Sequence, residues 1–182
     1  MFLPSLTPLS ESLILLPAAY EALYTLADVR FAEDGKGGER IKSLDKIMRK
    51  GVLTAYHHAS EHPPIIQLLL AQLSILFSKQ GIHSVKHLKD VLPILESVLK
   101  DPFATPASIH AALQALCSVI QNAWPRLGEA IYRVTIMKAL VVCWGNVEGV
   151  EELREELGKV GGLFVKVCLM WVRVHVWVVM RC

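Results

Sequence analysis

At 182 residues the chain is long enough for one ordinary domain with its own core. Its 19 basic residues nearly balance 17 acidic ones, so it lacks the clustered basic surface that nucleic-acid binding needs. A hydrophobic content of 53% and a mean hydropathy of +0.40 leave two explanations, a membrane segment or large faces meant for partner proteins.

The N-terminus is apolar but has no basic n-region, and Glu11 with Pro4, Pro8 and Pro17 argues against a signal peptide. A first helix is predicted from about Pro17 to Arg30, carrying Tyr20, Leu23, Tyr24 and Leu26. Gly35, Gly37 and Gly38 then read as a flexible loop. A second helical stretch covers about Glu39 to Ser60, with a bend at Gly51. After Pro63-Pro64, the run IIQLLLAQLSILFSKQ is apolar on nearly all sides and reads as a central buried helix ended by Gly81.

Residues 81–106 spell out the next helix with its start and stop. Ser84 is expected to cap it, since a hydroxyl can accept a hydrogen bond from a free N–H of the first turn. Val85, Leu88, Leu92, Leu95 and Leu99 recur at steps of three and four and form one apolar face. Lys86, His87, Lys89, Asp90, Glu96 and Lys100 are expected on the opposite, solvated face. Asp101-Pro102 stops the helix, because a residue before proline is pushed out of the α region. Thr105-Pro106 starts the following one with a capping hydroxyl and a ring preset for the first helical position. Further helices are expected at about 106–122, 127–144 and 148–159, the last with a favourable Glu155–Lys159 pair.

Helix starts near 64, 84, 106, 127 and 148 are about twenty-one residues apart. Two helices thus recur every ~42 residues, the spacing of HEAT or armadillo arrays. Pro93 inside a helix that ends at Asp101 resembles the first half of a HEAT unit, although His110 stands where the usual arginine would be. The fold expected is all-α, an α-solenoid of HEAT/armadillo-like hairpins over residues 1–160; a compact non-repeating bundle is the alternative. Residues 161–182, GLFVKVCLMWVRVHVWVVMRC with the glycine before them, form an atypical Val/Trp-rich tail whose residues favour strand. Three readings stand for it: a gene-model artefact after Lys159, a buried element of an assembly, or a membrane anchor. The anchor would place Lys166, Arg173 and His175 in lipid, at ~2.5 kcal/mol or more each near the centre.

Chemistry is sparse. Cys117, Cys143, Cys168 and Cys182 form no close pair, which argues against a zinc site or disulfide framework and suits a reducing compartment. His58-Ala59-Ser60-Glu61-His62 matches the HxxEH pattern of inverted zincins, and a zinc-dependent peptidase is the enzymatic alternative. The motif sits just before Pro63-Pro64, however, and reads more simply as a polar helix end with histidines near the negative dipole. No phosphate-binding glycine motif is present. A helix with one buried stripe and no reactive groups is the signature of a scaffold. Lys86, His87 and Lys89 are candidates to meet an acidic patch on a partner, against a plain solvated face. Trp124 and Arg126 of the NAWPR turn are candidates for an inter-helix contact ridge, because both types are enriched at interface hot spots, against a packing wedge. Phe103 of the DPF turn joins them.

Four segments carry a family resemblance: DKIMRKGVLTAYHHASEH at 45–62, GIHSVKHLKDVLPILESVLKDPFATP at 81–106, NAWPR at 122–126 and YRVTIMKALVVCW at 132–144. Over about residues 17–145 the chain resembles the C-terminal part of the TELO-two-interacting protein two family, in its fungal type. The resemblance implies a non-enzymatic helical-repeat subunit of the TTT complex, a co-chaperone for phosphatidylinositol-kinase-related kinases. It implies other TTT subunits as partners, chaperone machinery and kinases as indirect ones, association with the ASTRA complex, no cofactor or metal, and cytoplasmic and nuclear residence. It further implies that an N-terminal region of the longer family members is missing here and that the tail after Lys159 has no counterpart.

Overall fold

Proline and glycine set most of the helix boundaries. The computed structural model describes residues 8–32, 37–59 and 62–179, with backbone alone at 8–12, 31–32, 37 and 171–179. Helix α1 spans Pro8–Ala32, so it starts well before Pro17, whose ring lies on an exposed face inside the helix. Helix α2 (Gly37–Lys46) takes in Gly37 and Gly38, which the sequence assigns to a loop; Gly35 lies outside the described residues.

The expected bend at Gly51 takes a definite form. Residues Ile47–Leu53 are a π-helical turn, followed by the short α3 (Thr54–His58). The Thr54 hydroxyl donates to the Arg49 carbonyl five residues back, at 2.9 Å. Gly51 has a packing reason: a Cβ there would stand 3.4 Å from the Tyr20 ring.

Pro63 and Pro64 open α4 (Pro63–Gln80), where a missing N–H is no loss. Gly81 closes it at φ +54°, ψ −133°, a backbone region that side chains disfavour. Residues Gly81–His87 then form a 3₁₀ segment before α5 (Leu88–Lys100). The expected Ser84 cap is therefore corrected: Ser84 is buried, and its hydroxyl donates to the Gly81 carbonyl at 2.6 Å. The cap on α6 (Pro106–Asn122) is as expected, with Thr105 Oγ1 accepting from the Ser108 N–H at 3.2 Å. A one-turn α7 (Trp124–Leu127) precedes α8 (Ala130–Asn146) and the long α9 (Glu151–Val179). α9 carries the Glu155–Lys159 pair at 2.8 Å.

The helices pack in two rows. α4 lies on α6 and α6 on α9, with α1 flanking α4; α5 lies on α8 in the second row, and α2 packs on α1 while α2 and the π turn both touch α4. With the one-turn α7 set aside, α4 and α6, α5 and α8, and α6 and α9 each join a helix to the one after next. α6 can approach α4 closely because Ala111, Ala112 and Ala115 are its buried contacts. Leu69, Leu73, Leu76 and Phe77 fill the space from α4, and Leu113 and Val119 from α6. Each such side chain contributes about 1.5–3 kcal/mol by leaving water. α4 is buried as the sequence reading expects, and Leu88, Leu92, Leu95 and Leu99 of α5 are buried with it.

The strand preference of the tail does not hold. The backbone stays helical through Val179, and Val160, Phe164 and Val167 recur at helical spacing and are buried. Valine's β propensity describes a fit to a half-buried surface, and α6 offers such a surface to a helix. Side chains beyond Met170, including Arg173 and His175, lie outside the described residues. Among the described residues, Pro63–Lys100 is the stretch long and apolar enough to cross a bilayer; Gly81 breaks it, and its leucines are buried in the core.

Candidate functional site

Lys86 and His87 converge on one carboxylate of α2. Lys86 Nζ lies 3.0 Å and His87 Nε2 2.5 Å from Asp45 Oδ1. Lys86 stays exposed, whereas His87 is 0% exposed and neither Nδ1 nor Nε2 makes a well-aligned hydrogen bond, so its approach to Asp45 is a charge contact. This corrects the placement of His87 on the solvated face. The 3₁₀ segment turns the chain by 120° per residue instead of 100°, which rotates His87 inward relative to a regular helix. Burial pushes the His87 pKa below its ordinary value, outweighing the pull of Asp45; Lys86 and Arg49 add to the depression. Burial alone would raise Asp45, but Lys86 and His87 beside it hold it below the usual range. The cluster is an internal tie between α2 and the start of α5. Lys89, one position into α5, remains exposed.

Phe103 is 91% exposed in the turn between α5 and α6, where its N–H donates to Asp101 Oδ1 at 2.9 Å. Trp124 is 38% exposed, and the Arg126 guanidinium is held by Glu129 at 3.0 Å. α5 and α6 are antiparallel across a short turn, so Phe103 and Trp124 sit at opposite ends of α6. At 1.5 Å per residue that separation is roughly 25 Å. The 3₁₀ segment that carries Lys86 also touches α6. The six candidates therefore do not form one site.

The HxxEH residues do not share a helix. His58 ends α3, Ala59 leaves helical geometry at φ −100°, ψ 12°, and His62 precedes α4 at φ −122°, ψ 85°. Two histidines of a zincin must present from one helical face, and here the backbone turns between them. Glu61 lies outside the described residues. Among the described residues no three His, Cys, Asp or Glu gather as metal ligands. The thiols among the described residues are not activated: burial raises Cys143 to about 11 and pushes Cys117 and Cys168 upward as well.

Two features escaped the sequence reading. His110 Nδ1 meets Glu156 Oε2 at 2.5 Å and Gln114 meets its Nε2 at 2.7 Å, tying α6 to α9 where a HEAT arginine would stand. Its signal was the missing arginine itself. α1 and α8 also present apolar side chains to water, among them Leu23, Leu26 and Val29 on α1 and Ile131, Val141 and Trp144 on α8. Both helices are apolar all round, so periodicity could not say which side would stay open.

No solved structure matches the chain. The sequence profile of the Tti2 family matches residues 1–106, covering the 45–62 and 81–106 segments but not NAWPR or the α8 sequence. A match over more than half of the 182 residues decides the family. The chain belongs to the Tti2 family.

Proposed function

We propose that the chain acts by binding alone, as a scaffold subunit of a TTT-type co-chaperone complex that supports maturation of phosphatidylinositol-kinase-related kinases. Membership of the Tti2 family, a family of non-catalytic complex subunits, is the observation that carries this reading. The two-row packing supports an α-solenoid of HEAT/armadillo-like hairpins, in which a helix meets the one after next. The apolar side chains left open on α1 and α8 suit docking to other helical-repeat subunits. In this reading the protein resides in cytoplasm and nucleus and takes part in ASTRA-type assemblies. Residues 161–182 are an extension of the 1–160 repeat region.

Affinity capture of the tagged protein from its own cells tests this. Two other helical-repeat subunits should come down in stoichiometric amounts. Recovery of neither would overturn the reading.

A further inference from the structure

Tyr20, Leu23, Ala27 and Arg30 follow one another along α1 at steps of three and four, and they line one wall of an open groove of about 420 Å³. The facing wall comes from α2 and the π turn: Ser43, Lys46, Ile47, Lys50 and Gly51. From Tyr20 to Arg30 are ten steps of 1.5 Å, so the groove is about 15 Å long, the length of a three-turn helix. Its lining is mostly apolar, and at its floor the buried Tyr20 ring packs against Gly51.

Among the described residues, the charged side chains that line it, Arg30, Lys46 and Lys50, are of one sign. Asp28 of α1 is engaged by Arg40 at 2.7 Å and Lys79 at 2.6 Å, and Asp45 of α2 by Lys86 and His87. Both acids are thus used to tie helices together. Lys46 and Lys50, one turn apart on the groove's rim, are exposed and have no ion pair among the described residues. π turns persist mainly where function retains them, and this one forms the basic wall.

We propose that this groove docks an amphipathic helix of a partner protein, about three turns long, with an apolar stripe against α1 and acidic side chains beside Lys46 and Lys50. An apolar helix without acids would leave the two ammonium groups facing nothing, and a basic one would be repelled. The inference deepens the scaffold reading and rests on it for the existence of a protein partner. Its test uses purified chain and peptide, so it can fail while subunit recovery succeeds, and the reverse.

The probe is a fluorescein-labelled 15-residue helical peptide with leucines on one stripe and glutamates on the flank, titrated with the full chain and read by anisotropy. A twin peptide carries lysine for every glutamate. The glutamate peptide should bind saturably and the lysine twin should not. The double variant Lys46→Glu/Lys50→Glu should weaken binding by about tenfold or more, since rim charges set complementarity. Leu23→Asp should also weaken it, with helicity by circular dichroism confirming the fold, while Val134→Asp on α8 should leave it unchanged. Failure of the glutamate peptide to bind, equal binding of the twin, or indifference to the lysine reversals would overturn the proposal. Self-association of the chain that is lost in the double reversal would assign the groove to a second copy and overturn it equally.

Discussion

His87 Nε2 lies 2.5 Å from Asp45 Oδ1, with the imidazole wholly removed from solvent. Two segments separated by the whole of α3 and α4 meet there. The pair decides how stability should respond to mild acid. Burial depresses the His87 pKa below 6.5, so as pH falls the unfolded chain takes up this proton before the folded one does. The His87 contribution is complete above pH 6.5 and is lost as pH falls from there toward the folded value. Asp45, also depressed, contributes fully above 3.8 and loses its part only below that, outside the same window. The urea midpoint should therefore fall between pH 7.5 and 5.5, and His87→Gln should flatten that slope. An unchanged slope in the variant would count against the buried neutral imidazole.

Two phenylalanines give opposite expectations. Phe77 is fully buried between α4 and its neighbours, and Phe77→Ala should cost about 3–5 kcal/mol through lost transfer energy and a cavity. Phe103 is exposed, and Phe103→Ala should stay within about 0.5 kcal/mol. Chemical denaturation of both variants checks this. A large loss from Phe103→Ala would mean that the turn packs differently.

The Gly81 backbone sits at φ +54°, ψ −133°, and no atom lies within 4 Å of where a Cβ would be. The strain of a side chain there is thus conformational and not a clash. Gly81→Ala should destabilise by about 1–3 kcal/mol, measured by thermal unfolding. Gly158→Ala, in α9 with open space and ordinary φ, should be neutral or gain about 0.5–1 kcal/mol. Equal effects at the two positions would contradict the special role of Gly81.

Tyr24 donates to Gln72 Oε1 at 2.9 Å between α1 and α4, and both residues are buried. Tyr24→Phe leaves that carbonyl without its donor and should cost about 1–2 kcal/mol. The variant Tyr24→Phe/Gln72→Leu should recover part of the loss, since both polar groups are then gone. No recovery would indicate that the pair is not coupled.

Particular residues show how much was legible. Pro63-Pro64, Gly81, Asp101-Pro102 and Thr105-Pro106 mark helix ends in the sequence and do so in the structure, because φ restriction and a missing N–H act locally. The Leu88–Leu92–Leu95–Leu99 stripe was legible for the same reason: a helix of fixed pitch puts these residues together whatever lies beyond it. Ser84 was misread because its partner depends on a 3₁₀ segment that residue preferences do not announce. The strand preference of the tail's valines did not decide its backbone, because β propensity is weak against the burial of Phe164 and Val167 along one helical face. Among the six partner candidates, residue type alone could not tell that Phe103 would be exposed and His87 buried.

The chain by itself determined that this protein is helical, where most of its helices begin and end, and its family. Those properties follow from local geometry and from residue types at fixed spacing. Tertiary packing alone decided that His87 is inside, that His58 and His62 belong to different elements, and that Lys46 and Lys50 have no ion pair among the described residues beside an apolar groove. Each depends on which side of a helix its neighbours cover. For helices apolar all round, such as α1 and α8, covering one side is a property of the assembly of helices and is not written in any one of them.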